Sequence, residues 1–96
     1  MNVVLNSDLK QDELIDGPMG LVYIWNSKGK RLVIISLFSH YARIYGEKYE
    51  IKVMENGHEV ESDFESYTSD LSLIEKYIRK FKNNEEWFSC WKMILV

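Results

Sequence analysis

The feature that most restricts how this chain folds is Asn56-Gly57, set between two segments of alternating polarity at residues 48–55 and 58–65. Asn-Gly is the strongest short-range signal for a two-residue type I′ hairpin turn, because both central positions need φ > 0, which these residue types tolerate. The turn sets Glu55 opposite His58, and from there Val53 opposite Val60, Ile51 opposite Ser62 and Tyr49 opposite Phe64. One face of the hairpin is then mostly apolar and suited to a core. The other carries Glu50, Lys52, Met54, Glu59, Glu61 and Asp63.

A helix is expected after the hairpin. Thr68-Ser69-Asp70 supplies capping side chains, and Ser72 with Glu75 fits a capping box, so the start falls between Ser69 and Ser72. Leu71, Ile74, Tyr77, Ile78 and Phe81 recur at three- and four-residue spacing and form a single apolar stripe, which Asn83-Asn84 ends. That stripe suits a helix lying across the apolar face of a sheet.

Upstream, residues 21–25 and 31–38 flank a polar five-residue connection at 26–30, the pattern of a second hairpin. Leu32-Val33-Ile34-Ile35 is apolar at successive positions, so both faces of that strand are expected to be covered. Residues 39–45 suit either a continued strand or a helical turn, and Gly46 marks a bulge or a tight turn. Gly17-Pro18-Met19-Gly20 is turn chemistry, without the lysine and glycine spacing of a phosphate loop. Residues 1–16 suit a short helix capped near Ser7 or an irregular arm.

Residues 85–96 are apolar at almost every position, and periodicity does not choose between helix and strand there. Trp87, Phe88 and Trp91 suit closure of the core, and equally suit anchoring a partner or a homodimer. The resulting expectation is a single small α+β domain over residues 1–96. Its sheet has four or five mostly antiparallel strands, with an amphipathic helix over about residues 70–82 packed on one face.

Ninety-six residues support one core, and 46% hydrophobic residues set the chain apart from disordered sequences. A lone cysteine, Cys90, cannot form an internal disulfide and suits a reducing compartment. The N-terminal residues do not resemble a signal peptide, and no run reaches the roughly 18 apolar residues of a membrane helix. A soluble, cytoplasmic protein without membrane contact is expected.

The net charge of −3 is unevenly spread. Residues 1–46 hold five cations and four carboxylates, residues 47–70 two cations and eight carboxylates, and residues 71–96 five cations and three carboxylates. The acid is concentrated in the hairpin. Such a surface discourages direct nucleic-acid contact and favours encounter with a basic protein surface, although acidic strand faces also serve plain solvation.

His40, His58 and Cys90 are far apart in sequence and do not form a zinc pattern. No nucleophile signature surrounds any serine or cysteine, and carboxylates on an open strand face lack the burial that raises one pKa selectively. Neither an enzyme nor a bound cofactor is expected. Tyr23, Trp25, Tyr41 and Tyr45, with Lys28, Lys30, Arg31 and Arg43 nearby, would suit a single-strand nucleic-acid platform, a reading weakened by the acidic net charge.

Ile51-Lys52-Val53, Asn56-Gly57, Ile74-Glu75-Lys76-Tyr77-Ile78, Phe81-Lys82-Asn83 and Glu85-Glu86-Trp87-Phe88, in this order, resemble the phage-encoded type II-A anti-CRISPR proteins. The resemblance runs from about Lys48 onward; the acidic segment that follows the helix in that family is mostly aromatic and apolar here. It implies a small acidic α/β inhibitor that occupies the DNA-binding, PAM-reading surface of an RNA-guided nuclease with carboxylates. The residues carried over are Glu59, Glu61, Asp63 and Glu65, and Glu50 joins them from the solvated face of the preceding strand. The expected function is therefore a non-enzymatic, DNA-mimicking inhibitor directed at a CRISPR nuclease complex. A toxin-neutralising immunity protein, similar in size and acidity, is the alternative.

Overall fold

Two antiparallel hairpins supply the centre of the sheet. In the computed structural model, which describes residues 9–83, the order is β1 (Glu13–Asp16), β2 (Gly20–Ser27), β3 (Lys30–Leu37), α1 (Ser39–Tyr45), β4 (Tyr49–Glu55), β5 (His58–Val60), β6 (Tyr67–Thr68) and α2 (Leu71–Lys82). The strands lie in the order β1-β2-β3-β4-β5, with β6 pairing β4 farther along the same edge. The α+β class and the antiparallel sheet are as expected, with six strands rather than four or five.

The Asn56-Gly57 turn has φ values of 53° and 80°, and Glu55 faces His58 and Val53 faces Val60 as expected. The ladder then stops. Ile51 and Tyr49 do not pair with Ser62 and Phe64; the Ile51 N–H donates instead to the Ser66 carbonyl, and Tyr49 pairs with Thr68. Residues 61–66 form a loop in which Phe64 stacks on Tyr77 of α2 with ring centroids 4.2 Å apart, and the edge resumes as β6.

The connection between β2 and β3 is tighter than expected. Lys28 and Gly29 take φ values of 51° and 80°, a two-residue turn that lets Ser27 pair with Lys30 and extends both strands. Of residues 1–16, for which a short helix or an irregular arm was expected, Glu13–Asp16 form a strand, and residues 1–8 lie outside the described residues. The Gly17–Gly20 turn, closed by a 3.0 Å Gly17 N–H to Gly20 carbonyl bond, folds β1 back along β2. There β1 satisfies strand backbone groups that a separate short helix would leave unpaired.

Residues 39–45 are helical, and Gly46 ends α1 in the left-handed conformation at φ 78°. In α2 the cap is Asp70, whose carboxylate accepts from the Ser72 and Leu73 N–H groups at 2.9 and 3.4 Å. Leu71, assigned to the buried stripe, is the first residue of α2 and is 37% exposed. Asp70→Ala is expected to lower stability by about 1 kcal/mol, the usual value of an N-cap, with Asp70→Asn nearly neutral; urea titration distinguishes them.

Successive residues of β3 divide between two cores, as their unbroken apolar run requires. Leu32 and Ile34 join Trp25, Ile51 and Val53 beneath Ile74, Tyr77, Ile78 and Phe81 of α2. Val33 and Ile35 join Ile24 and Leu37 on the outer face, with Tyr41 and Ala42 of α1 packed against them. Trp87, Phe88, Cys90 and Trp91, for which a core or interface role was expected, lie outside the described residues.

Candidate protein-binding face

β4 turns Tyr49, Ile51 and Val53 toward α2, so Glu50, Lys52 and Met54 point to the outer face. Register carries the pattern across the edge: Glu50 lies opposite Tyr67, and Met54 opposite Glu59. Tyr45, the last residue of α1, stacks on Tyr67 with centroids 4.9 Å apart and planes 16° apart. Burial first, then the charges of Glu50, Tyr45 and Glu59, push the Tyr67 phenol above its ordinary pKa. Tyr45 and Tyr67 form an aromatic strip beside Glu50.

The remaining expected site residues occupy the loop. Glu61, Asp63 and Glu65 are exposed within residues 61–66, beyond the end of β5 rather than on a strand. The loop is held at its middle, where the Glu65 N–H donates to the Tyr77 hydroxyl at 3.1 Å and the Phe64 N–H to the Ser62 hydroxyl at 3.3 Å. The five carboxylates thus fall on two kinds of element, Glu50 and Glu59 on strands and Glu61, Asp63 and Glu65 on a loop. Lys52 sits between Glu50 and Met54 on the same face and interrupts the negative field there.

The aromatic platform proposed from sequence does not assemble. Trp25 and Tyr23 are 0% and 3% exposed, sealed under α2. Arg31 is bonded to Glu13 and Asn26, while Lys30 lies 3.4 Å from Glu55. The Arg31 guanidinium and then the Asn26 amide, both donating to Glu13, hold that carboxyl below its ordinary pKa.

A cleft of about 320 Å³ between α1 and the start of β4 is lined by Ser36, Leu37, Ser39, Ala42, Lys48 and Tyr49. That lining offers hydroxyls and one ammonium group. His40 is exposed on α1, edge-on to Tyr41 at 5.2 Å, whereas His58 is exposed at the start of β5. Among the described residues no three His, Cys, Asp or Glu side chains are grouped to hold a metal ion, and no helix is long and apolar enough to cross a membrane.

The pairing of Tyr45 with Tyr67 had no signature in the sequence. Tyr67-Thr68 has the residue types of a strand, but only the looping-out of residues 61–66 brings it alongside β4. No protein-family model, curated protein or solved structure matches the chain.

Proposed function

We propose that this chain is a protein-binding inhibitor without turnover, acting in the cytoplasm, whose acidic edge covers the basic nucleic-acid-binding surface of a CRISPR nuclease. The observation that carries the proposal is the set of exposed carboxylates at Glu59, Glu61, Asp63 and Glu65, with Glu50 opposite Tyr67 on the same edge of the sheet. Carboxylates spaced along a rigid strand edge and a pinned loop present negative charge as a phosphate backbone does, at little ordering cost on binding. The likeness of residues from Lys48 onward to type II-A anti-CRISPR proteins supports this target over other basic proteins.

The test uses a guide-loaded type II-A nuclease and the purified full chain. Stoichiometric loss of DNA binding and cleavage is expected, relieved by rising salt because steering between opposite charges is screened over about 8 Å at physiological ionic strength. A variant carrying Glu59→Lys, Glu61→Lys and Asp63→Lys is expected to keep its fold, since exposed substitutions usually shift stability by less than about 0.5 kcal/mol each. Its association should slow at least tenfold, as expected when steering charges are reversed. Equal association rates and salt slopes for the two forms would overturn the role of the acidic edge. Neutralisation of a cationic toxin domain, without effect on the nuclease, would replace this target with the immunity function.

A further inference from the structure

β1 closes the edge of the sheet opposite to β5 and β6: it pairs with β2 on one side, and among the described residues no strand lies on its other side. Alternate residues of an antiparallel edge strand turn their N–H and C=O groups outward, so β1 presents an unfilled half of a ladder. It also presents apolar side chains on both faces. Leu14, aligned with Tyr23, is 50% exposed, and Ile15, aligned with Val22, is 47% exposed. Edge strands are commonly blunted by short length, charged side chains, proline or a bulge; β1 is four residues long with Glu13 and Asp16 at its ends, and no lysine, proline or bulge interrupts its apolar centre Leu14-Ile15.

We propose that β1 is a strand-addition site for an extended segment of another protein, apolar at its centre and carrying a lysine or arginine opposite Asp16. Backbone pairing would supply affinity and the alternating side chains selectivity, as in other strand-addition sites. The charge preference comes from Asp16. Glu13 is already bonded to Arg31 and Asn26, and the Asp12 carboxylate accepts from the Asn26 N–H at 2.7 Å. Asp16 is exposed and makes no ion pair among the described residues.

A second copy of the chain fits this edge poorly. The two-fold antiparallel register that overlays all four residues of β1 places Glu13 opposite Asp16 at both ends, and like charges directly opposite are destabilising. The site lies across the sheet from Glu59 and is separate from the acidic edge proposed above.

The probe is a blocked pentapeptide of sequence Lys-Val-Thr-Val-Lys, titrated into the isotope-labelled full chain and followed by amide chemical shifts. Saturable shifts confined to residues 12–17 and their β2 neighbours are expected, with Asp16→Lys weakening binding roughly fivefold and Ile15→Lys roughly tenfold. Spectra of both variants should match the parent outside β1. Three results would overturn the proposal: no saturation up to about 5 mM peptide, equal affinity for the Glu-Val-Thr-Val-Glu peptide, or a doubled mass in sedimentation that disappears with Ile15→Lys.

Discussion

Trp25→Ala is expected to destabilise the protein by about 3–5 kcal/mol, the usual cost of emptying a large aromatic core site. Trp25 is fully buried, its ring is stacked near Tyr23 with centroids 6.4 Å apart, and its indole N–H donates to the Leu9 carbonyl at 2.8 Å. The side chain therefore fills volume beneath α2 and also holds the segment before β1 against the core. A domain of this size has only about 5–15 kcal/mol in total, so the variant should lose a large share of its stability and melt at a markedly lower temperature. Trp25→Phe separates the two contributions: most of the ring packing remains, but the buried Leu9 carbonyl loses its donor, for which about 1–3 kcal/mol is expected. Denaturant midpoints for the two variants, compared with the parent, check both figures. A loss below about 1 kcal/mol for Trp25→Ala would show that the site collapses around the missing ring.

Gly20→Ala should be nearly as costly, at about 3 kcal/mol, the upper part of the range for forcing atoms into a closed contact. A Cβ at Gly20 would lie 2.1 Å from the Ser36 carbonyl oxygen and 2.8 Å from its carbon. These are backbone atoms of β3, not the end of a flexible side chain, so relief requires the strands to separate where Gly20 faces Leu37. The expected signature is faster hydrogen exchange across the Gly20 end of the β2–β3 ladder as well as a lower melting temperature. Gly29→Ala provides the contrast. Gly29 has φ +80° but open space around it, so only the conformational penalty of about 1–2 kcal/mol applies. If the two alanine variants melted alike, the close approach of β2 to β3 would not be what requires Gly20.

The parts of this fold legible in the sequence are those set by local backbone preference and by unbroken periodicity. Asn56-Gly57 imposes positive φ at two adjacent positions, which forces the turn and the first pairs beyond it whatever else the chain does. The Ile74, Tyr77, Ile78 and Phe81 stripe identifies the buried side of α2 because four residues return the chain to the same face. The β-branched run Val33-Ile34-Ile35 favours a strand covered on both faces over a competing helix through Ile34, Leu37, Phe38 and Tyr41, and this is how β3 is placed. The acidity of residues 47–70 was likewise plain from composition.

Tertiary structure decided the rest, because the relevant alternatives were nearly equal for the isolated segment. Alternation through residues 58–65 is compatible with a strand to its end, yet β5 ends at Val60, Phe64 stacks on Tyr77 from a loop, and Tyr67 with Thr68 takes up the pairing with β4. Residues 13–16 carry no strong strand signal and become β1 because the edge of β2 lies beside them once the Gly17–Gly20 turn closes. The same events set the candidate site: Glu61, Asp63 and Glu65 lie on a loop, and Tyr67 arrives opposite Glu50 and stacked on Tyr45. Turns and stripes are encoded within a few residues of themselves, whereas the end of a strand and the neighbours of a side chain depend on competition among distant contacts.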